Sequence, residues 1–175
     1  SEFLILVKKD DKYGFINKEG KEVVKPVYDY VYNFSDGLAC AKKDGKYGFI
    51  NEKGEEVVKP VYCDVSGFSD GLACAKKDGK YGFINEKEEV VVKPVYDYAR
   101  NFSDGLACFK KDGKYGFINK KEEVVVKPVY DGVGDFSEGL AIVKKDGKYG
   151  FINKEGKEVI KPVYDYVYDF SDGLT

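Results

Sequence analysis

The chain has 175 residues, 43% hydrophobic, 15% aromatic and 34% charged, with a formal net charge of −2. That is enough apolar material for a packed core, and too little net charge for bulk attraction to nucleic acid or an anionic membrane surface. Histidine, tryptophan and methionine are absent, which excludes His-based acid–base catalysis, His-containing zinc sites and Ser-His-Asp triads. No stretch approaches the ~20 apolar residues of a membrane helix. Ser1–Val7 lacks the basic start and the length of a secretory signal, so no compartment is indicated.

Five copies of a 34-residue unit fill 170 of the positions, without insertions. Tyr-Gly-Phe-Ile-Asn recurs at Tyr13, Tyr47, Tyr81, Tyr115 and Tyr149. Lys-Pro-Val-Tyr recurs at Lys25, Lys59, Lys93, Lys127 and Lys161, and Phe-Ser-(Asp/Glu)-Gly-Leu at Phe34, Phe68, Phe102, Phe136 and Phe170. Fixed periods of this length mark repeat architectures. We take residues 1–175 as a single repeat domain, with copies at about 4–37, 38–71, 72–105, 106–139 and 140–173.

In the second copy, Leu38-Ala39-Cys40-Ala41 is apolar on both faces, as in a buried strand. Asp44-Gly45 follows and predicts a tight hairpin, because both residues tolerate positive φ. Tyr47-Gly48-Phe49-Ile50 is a second strand, with Gly48 at a bulge or a close backbone approach. Asn51-Glu52-Lys53-Gly54 turns into a third strand, Val57–Tyr62, which holds Pro60 and so lies at an edge or bends there. Next comes the segment that varies most: Tyr30–Asn33, Asp64–Gly67, Tyr98–Asn101, Gly132–Asp135 and Tyr166–Asp169. Its second residue is always Val or Ala, so period-two alternation turns that residue inward and its neighbours outward, in a short fourth strand or an extended loop. Phe34 and its equivalents anchor inward before the turn Ser35-Asp36-Gly37. No segment has helical periodicity.

These residues resemble the WG (or KWG) repeat of bacterial β-rich proteins. The counterparts are Phe34, Gly37, Leu38 and Ala39, then Gly45, Lys46, Tyr47, Gly48, Phe49, Ile50 and Asn51, then Gly54, Val57, Val58, Pro60 and Tyr62. Tyrosine replaces the name-giving tryptophan in every copy. The resemblance implies a β-rich interaction module and brings no catalytic residues.

A 34-residue unit cannot bury its own faces, so copies must pack on one another. The expected fold is all-β, five repeats of three to four short antiparallel strands in a closed β-propeller-like ring. An open β-repeat solenoid is the alternative. The ring is favoured because the first and last copies match the middle ones instead of carrying polar caps. Phe3 stands where the other copies have Gly, so Gly173 is expected to occupy that turn, with residues 1–3 splayed away.

Cys40, Cys74 and Cys108 share one repeat position with Leu6 and Ile142, which marks a small buried hydrophobe. Cys63 stands where the other copies have Asp and should be exposed. The lysine-rich hairpins read as solvated turns among acids. Ten of the fifteen tyrosines lie in the invariant motifs and read as packing. The remaining five, with their variable neighbours, form the candidate contact surface: Tyr30, Tyr32, Asp64, Ser66, Tyr98, Arg100, Tyr166 and Tyr168. No catalytic residue, metal site or cofactor is expected. The expected function is a non-enzymatic scaffold for a protein partner. The alternative is a multivalent ring binding a small ligand such as a carbohydrate, so a glycan is the other candidate partner; nucleic acid and membrane are not.

Overall fold

The computed structural model describes residues 3–168, so the expected placing of Gly173 lies outside the described residues. The chain divides into two compact units, Ser1–Val95 and Tyr96–Thr175. Among the described residues every regular element is a strand. The first unit contains β1 (Ile5–Lys9), β2 (Lys12–Ile16), β3 (Glu22–Tyr28), β4 (Tyr30–Val31), β5 (Leu38–Lys43), β6 (Lys46–Asn51) and β7 (Glu56–Tyr62). It continues with β8 (Asp64–Val65), β9 (Leu72–Lys77), β10 (Lys80–Asn85) and β11 (Val90–Tyr96), whose last residue is the boundary. The second unit contains β12 (Tyr98–Ala99), β13 (Leu106–Lys111), β14 (Lys114–Asn119) and β15 (Val124–Tyr130). Its last strands are β16 (Gly132–Val133), β17 (Leu140–Lys145), β18 (Lys148–Asn153) and β19 (Glu158–Tyr164).

These strands form five separate antiparallel sheets: β1–β3, β4–β7, β8–β11, β12–β15 and β16–β19. In the first four copies the variable segment therefore begins with a strand of two residues, which belongs to the following sheet rather than to the copy that encodes it. A stacked solenoid would hydrogen-bond equivalent strands of successive copies into one continuous sheet. Here equivalent residues such as Cys40 and Cys74 stand in different sheets.

Local chemistry sets the turns. Asp44 and Gly45 have φ of 50° and 77°, the two left-handed residues of a type I′ hairpin. Asp36 and Gly37 repeat this geometry at 51° and 79°. Ser35 and Leu38 close that turn by exchanging backbone hydrogen bonds of 2.8 and 3.0 Å. Asn51 organises the turn after β6: its Oδ1 accepts from the Lys53 and Glu55 amides, and its Nδ2 donates to Glu55 Oε2 at 2.6 Å. Asn85 and Asn119 do the same. The motif asparagine is thus a turn-former that satisfies backbone donors from its side chain.

In the pairing of β6 with β7, Tyr47 faces Tyr62 and Phe49 faces Val58, so Lys59-Pro60-Val61 bulges opposite Gly48 alone. A Cβ on Gly48 would lie 2.3 Å from Val58 O and 2.7 Å from Pro60 N. Both sequence readings hold: the glycine marks close backbone approach, and the proline sits in a bulge of an edge strand, where no ladder donor is needed.

The core lies between sheets. Val24 and Tyr28 of β3 pack with Val31, Ala39, Ala41 and Ile50 of the next sheet. Val58 and Tyr62 of β7 pack with Ala73, Ala75 and Ile84. In the second unit Val126 and Tyr130 pack with Ala141, Val143 and Ile152. The alanines let the incoming tyrosine approach the neighbouring strand, so in these three pairs the later sheet completes the core of the one before it.

The same packing perturbs two kinds of side chain. Burial, with the carboxylates of Glu56 and Glu158, pushes the hydroxyls of Tyr28 and Tyr130 up to about 12. Each donates to its glutamate at 3.1 Å. An unfolded tyrosine ionises near pH 10. The fold thus holds the neutral form, and this contribution is intact below about pH 10 and is lost as the pH rises towards about 12. Denaturation midpoints should fall across that window, and the Tyr28→Phe/Tyr130→Phe double variant should fall less steeply.

None of the four cysteines is in a disulfide; Cys74 and Cys108 are buried, Cys40 is partly buried and Cys63 is exposed. Burial pushes the Cys40 and Cys108 thiols up to about 11 and that of Cys74 to about 12. The thiolate is the reactive form, so each should alkylate roughly 100-fold or more slowly than an ordinary exposed thiol. Timed labelling with iodoacetamide at pH 8 should therefore modify Cys63 first and alone, as read by peptide mass.

Candidate functional site

The positions that differ between copies sit on the short strands β4, β8, β12 and β16 and the residues after them. An aspartate just before three of these strands, β4, β12 and β16, fixes the approach. Asp29 accepts from the Gly45 amide at 3.1 Å and from Lys12 Nζ. Asp97 accepts from the Asp112 amide at 3.1 Å, and Asp131 from the Asp146 amide at 2.8 Å. These contacts tie the segment to the hairpin turn of the sheet it joins, and the lysine and amide donors hold the Asp29 and Asp131 carboxyls below the ordinary range. Cys63 takes this place in one copy, with Lys46 Nζ 3.3 Å from its sulfur.

In the first unit, three of the eight candidate residues line one cavity of about 460 Å³: Tyr32, Asp64 and Ser66. Tyr32 is 49% exposed and packs edge-on against Tyr30, with ring centres 4.8 Å apart. Tyr30 in turn meets Tyr13 at 5.3 Å, outside the cavity lining. Ser66 Oγ accepts from the Cys74 amide at 2.9 Å, which pins the segment against β9. The remaining wall includes Asp36, Asp70, Glu86, Tyr47 and Phe49, and no lysine or arginine. Asp36 and Asp70 hold left-handed turn positions, with φ of 51° and 54°, so the backbone turns present carboxylates at the rim. The raised Cys40 and Cys74 thiols owe part of their shift to the charge on Asp64.

The other candidates belong to the second unit. Tyr98 is 38% exposed and sits edge-on to Tyr115 at 6.5 Å. The Arg100 guanidinium is committed to the next variable segment: Nη2 donates to Val133 O at 2.9 Å and pairs with Asp135 at 3.2 Å. Arg100 thus acts as a clamp between two segments. Tyr166 and Tyr168 are exposed by 63% and 82%, with Tyr166 edge-on to Tyr149 at 5.8 Å.

The structure also shows what the sequence reading missed. Tyr47 is among the motif tyrosines that read as packing, yet it contributes to the cavity wall, as does Phe49. Tyr47 does both: Lys42 Nζ lies 5.1 Å from its ring centre, an arrangement repeated by Lys76 on Tyr81, Lys110 on Tyr115 and Lys144 on Tyr149. Glu86 carried no signal at all, since it follows an invariant asparagine in an ordinary turn. Its role depends on the approach of one sheet to the next. Among the described residues, no group of three or more His, Cys, Asp or Glu is arranged to hold a metal ion, and no helix is long and apolar enough to cross a membrane.

A repeated frame of separate antiparallel sheets, with variation concentrated in one segment per copy, defines a propeller-like β-repeat protein. The chain belongs to the WG containing repeat family, whose model matches residues 13–47, 47–81, 81–115, 115–149 and 149–175. No curated protein matches it in sequence. Among solved structures it is similar to Hsv2p of Kluyveromyces lactis, at 11% identity and a TM-score of 0.53, over 89% of this chain and 58% of that one. It is similar to a eukaryotic initiation factor at 12% identity and a TM-score of 0.55, over 100% of this chain and 54% of the other. The WD40 domain of Neurospora crassa Pan2 aligns at 12% identity and a TM-score of 0.45, over 93% and 65%. At such identities the likeness is one of fold. The chain spans less than two thirds of each of these proteins.

Proposed function

We propose that this protein is a non-enzymatic scaffold for protein–protein interaction, and that its first unit receives a basic side chain of the partner in the cavity beside Tyr32 and Asp64. The observation that carries this reading is the wall itself: Asp36, Asp64, Asp70 and Glu86 surround a cavity that also presents Tyr32 and Tyr47 and is lined by no cationic residue. Carboxylates and aromatic faces together attract a lysine or arginine through charge and through the ring quadrupole. The volume suits one long side chain with part of its backbone. The frame supports the reading too, because the described sheets repeat one strand order while variation concentrates in the short segment that borders the cavity.

The test is a random-peptide display selection on the immobilised full chain, run in parallel with Asp64→Asn/Asp36→Asn. Enrichment of peptides with a fixed Lys or Arg, lost in the double variant, is the expected result. Selection of peptides without a basic residue would overturn the proposed recognition. The second reading, a carbohydrate site, is favoured by the tyrosines beside Asn33 and Ser66 in the same cavity. A glycan array in which binding disappears on Tyr32→Ala would establish it in place of the first.

A further inference from the structure

The aspartate before a short strand sits in a seat that takes an anion with two oxygens. Asp29 uses both: Oδ1 accepts from Lys12 Nζ and Oδ2 from the Gly45 amide. Asp131 does the same, with Oδ1 on Lys114 Nζ and Oδ2 on the Asp146 amide. Asp97 Oδ2 accepts from the Asp112 amide. The lysine belongs to the sheet before the short strand, and the amide to the hairpin turn of the sheet that the short strand joins. The carboxylate therefore links one sheet to the next.

In the copy between Asp29 and Asp97 the anion is missing but its donors are present. Cys63 takes the aspartate's place, with Lys46 Nζ 3.3 Å from Sγ. The hairpin turn Asp78-Gly79 has φ of 49° and 80°, against 50° and 77° at Asp44-Gly45, so its amides are set like those that reach Asp29 and Asp131. Among the described residues no acceptor reaches the Asp78 or the Gly79 amide. A thiol offers one acceptor atom where the seat takes two. The sulfur therefore engages the lysine and leaves the turn unclasped.

We propose that Cys63 is an oxidation site whose sulfinate occupies this seat, with one oxygen on Lys46 Nζ and the other on the amides of the Asp78-Gly79 turn. A sulfinate carries two oxygens and one negative charge on the atom bonded to Cβ, which is the pattern of an aspartate side chain. A sulfenate has one oxygen and cannot span both donors. The oxidant is a peroxide, and two molecules of it are consumed. Each time, sulfur forms a bond to one peroxide oxygen, the O–O bond breaks, and the other oxygen leaves as water once protonated. Sulfur loses four electrons in all, both peroxides are reduced, and the thiol proton passes to solvent. Cys63 is exposed, whereas Cys74 and Cys108 are buried and Cys40 is partly buried. Burial pushes those three thiols up to about 11 or 12, so they supply little of the thiolate that reacts with peroxide. Oxidation at Cys63 thus supplies the missing link between the β4–β7 sheet and the β8–β11 sheet, one residue before β8 begins.

The test is hydrogen peroxide on the dilute full chain, read by peptide mass and by amide hydrogen exchange. Cys63 should gain two oxygens before Cys40, Cys74 or Cys108 gains any. In the sulfinate form the Asp78 and Gly79 amides should exchange roughly threefold or more slowly than in the reduced chain, as a charge-assisted hydrogen bond at an exposed turn requires. The Gly45 amide, already held by Asp29, serves as the internal control and should not change. Cys63→Asp should give the same protection without oxidant, and Cys63→Ser, which has one acceptor atom, should give none after the same treatment. Exchange at Asp78 and Gly79 that stays unchanged in the sulfinate form, whether or not Cys63→Asp protects them, would overturn the proposal. So would oxidation that reaches a buried thiol first, or that passes to the sulfonic acid without the sulfinate accumulating.

Discussion

Gly48→Ala should unfold the first unit, with a loss of about 3–5 kcal/mol. The added Cβ would sit 2.3 Å from Val58 O, 2.7 Å from Pro60 N and 2.8 Å from Lys59 C, all main-chain atoms. None can yield cheaply: Val58 is fully buried and in register with Phe49, and the bulge that carries Lys59 and Pro60 is closed at its other end by the Tyr47–Tyr62 pair. Gly45→Ala is the informative control. Its φ of 77° strains any L-residue, at about 1–2 kcal/mol, but nothing lies within 4 Å of the new Cβ. Urea midpoints should thus fall far more at Gly48, which has ordinary φ, than at Gly45, which does not. The reverse order would mean that the bulge adapts.

Phe117→Ala should cost the second unit about 3–5 kcal/mol. The ring is 1% exposed and lies 4.7 Å from that of Phe136. Of its neighbours, Leu106, Cys108 and Ile152 come from strands paired on both sides, and Val126 and Tyr130 from the edge strand β15 that packs on the next sheet, so the cavity cannot readily collapse. Tyr98→Ala, at an exposed candidate position, should cost under about 1 kcal/mol. This gap matters for function: variants in the variable segments report on binding with the frame intact, whereas variants in the invariant motifs do not.

Much of the frame is legible in the sequence because it rests on local rules. Asp44-Gly45 announces its hairpin, Gly48 its missing side chain, and Pro60 its bulge, each from one or two residues. The phase of the sheets was not legible in the same way. Tyr30-Val31 is written at the end of one copy but pairs with β5 of the next, and nothing in a two-residue strand says which neighbour it will join. The candidate surface was legible as variation against an invariant background. Which of its members meet was not, since Tyr32, Asp64 and Ser66 converge on one cavity only through the packing of one sheet beside the next. Arg100 was read as an exposed contact, yet its partner Asp135 lies just over one period away, a distance at which composition and spacing carry no pairing information.

The offset between copy and sheet bears on how such a gene can be shortened or lengthened. A cut at the motif boundary, before Leu38, strands Tyr30-Val31 on one fragment and leaves the edge of β5 bare on the other. A cut between Tyr28 and Tyr30 leaves each sheet whole. The unit that folds thus runs from Asp29 to Tyr62, while the unit most easily recognised by eye runs from Leu38 to Gly71. Whole-period duplications preserve both, whatever their starting point, so arrays of this kind can change length by recombination at any position within the repeat.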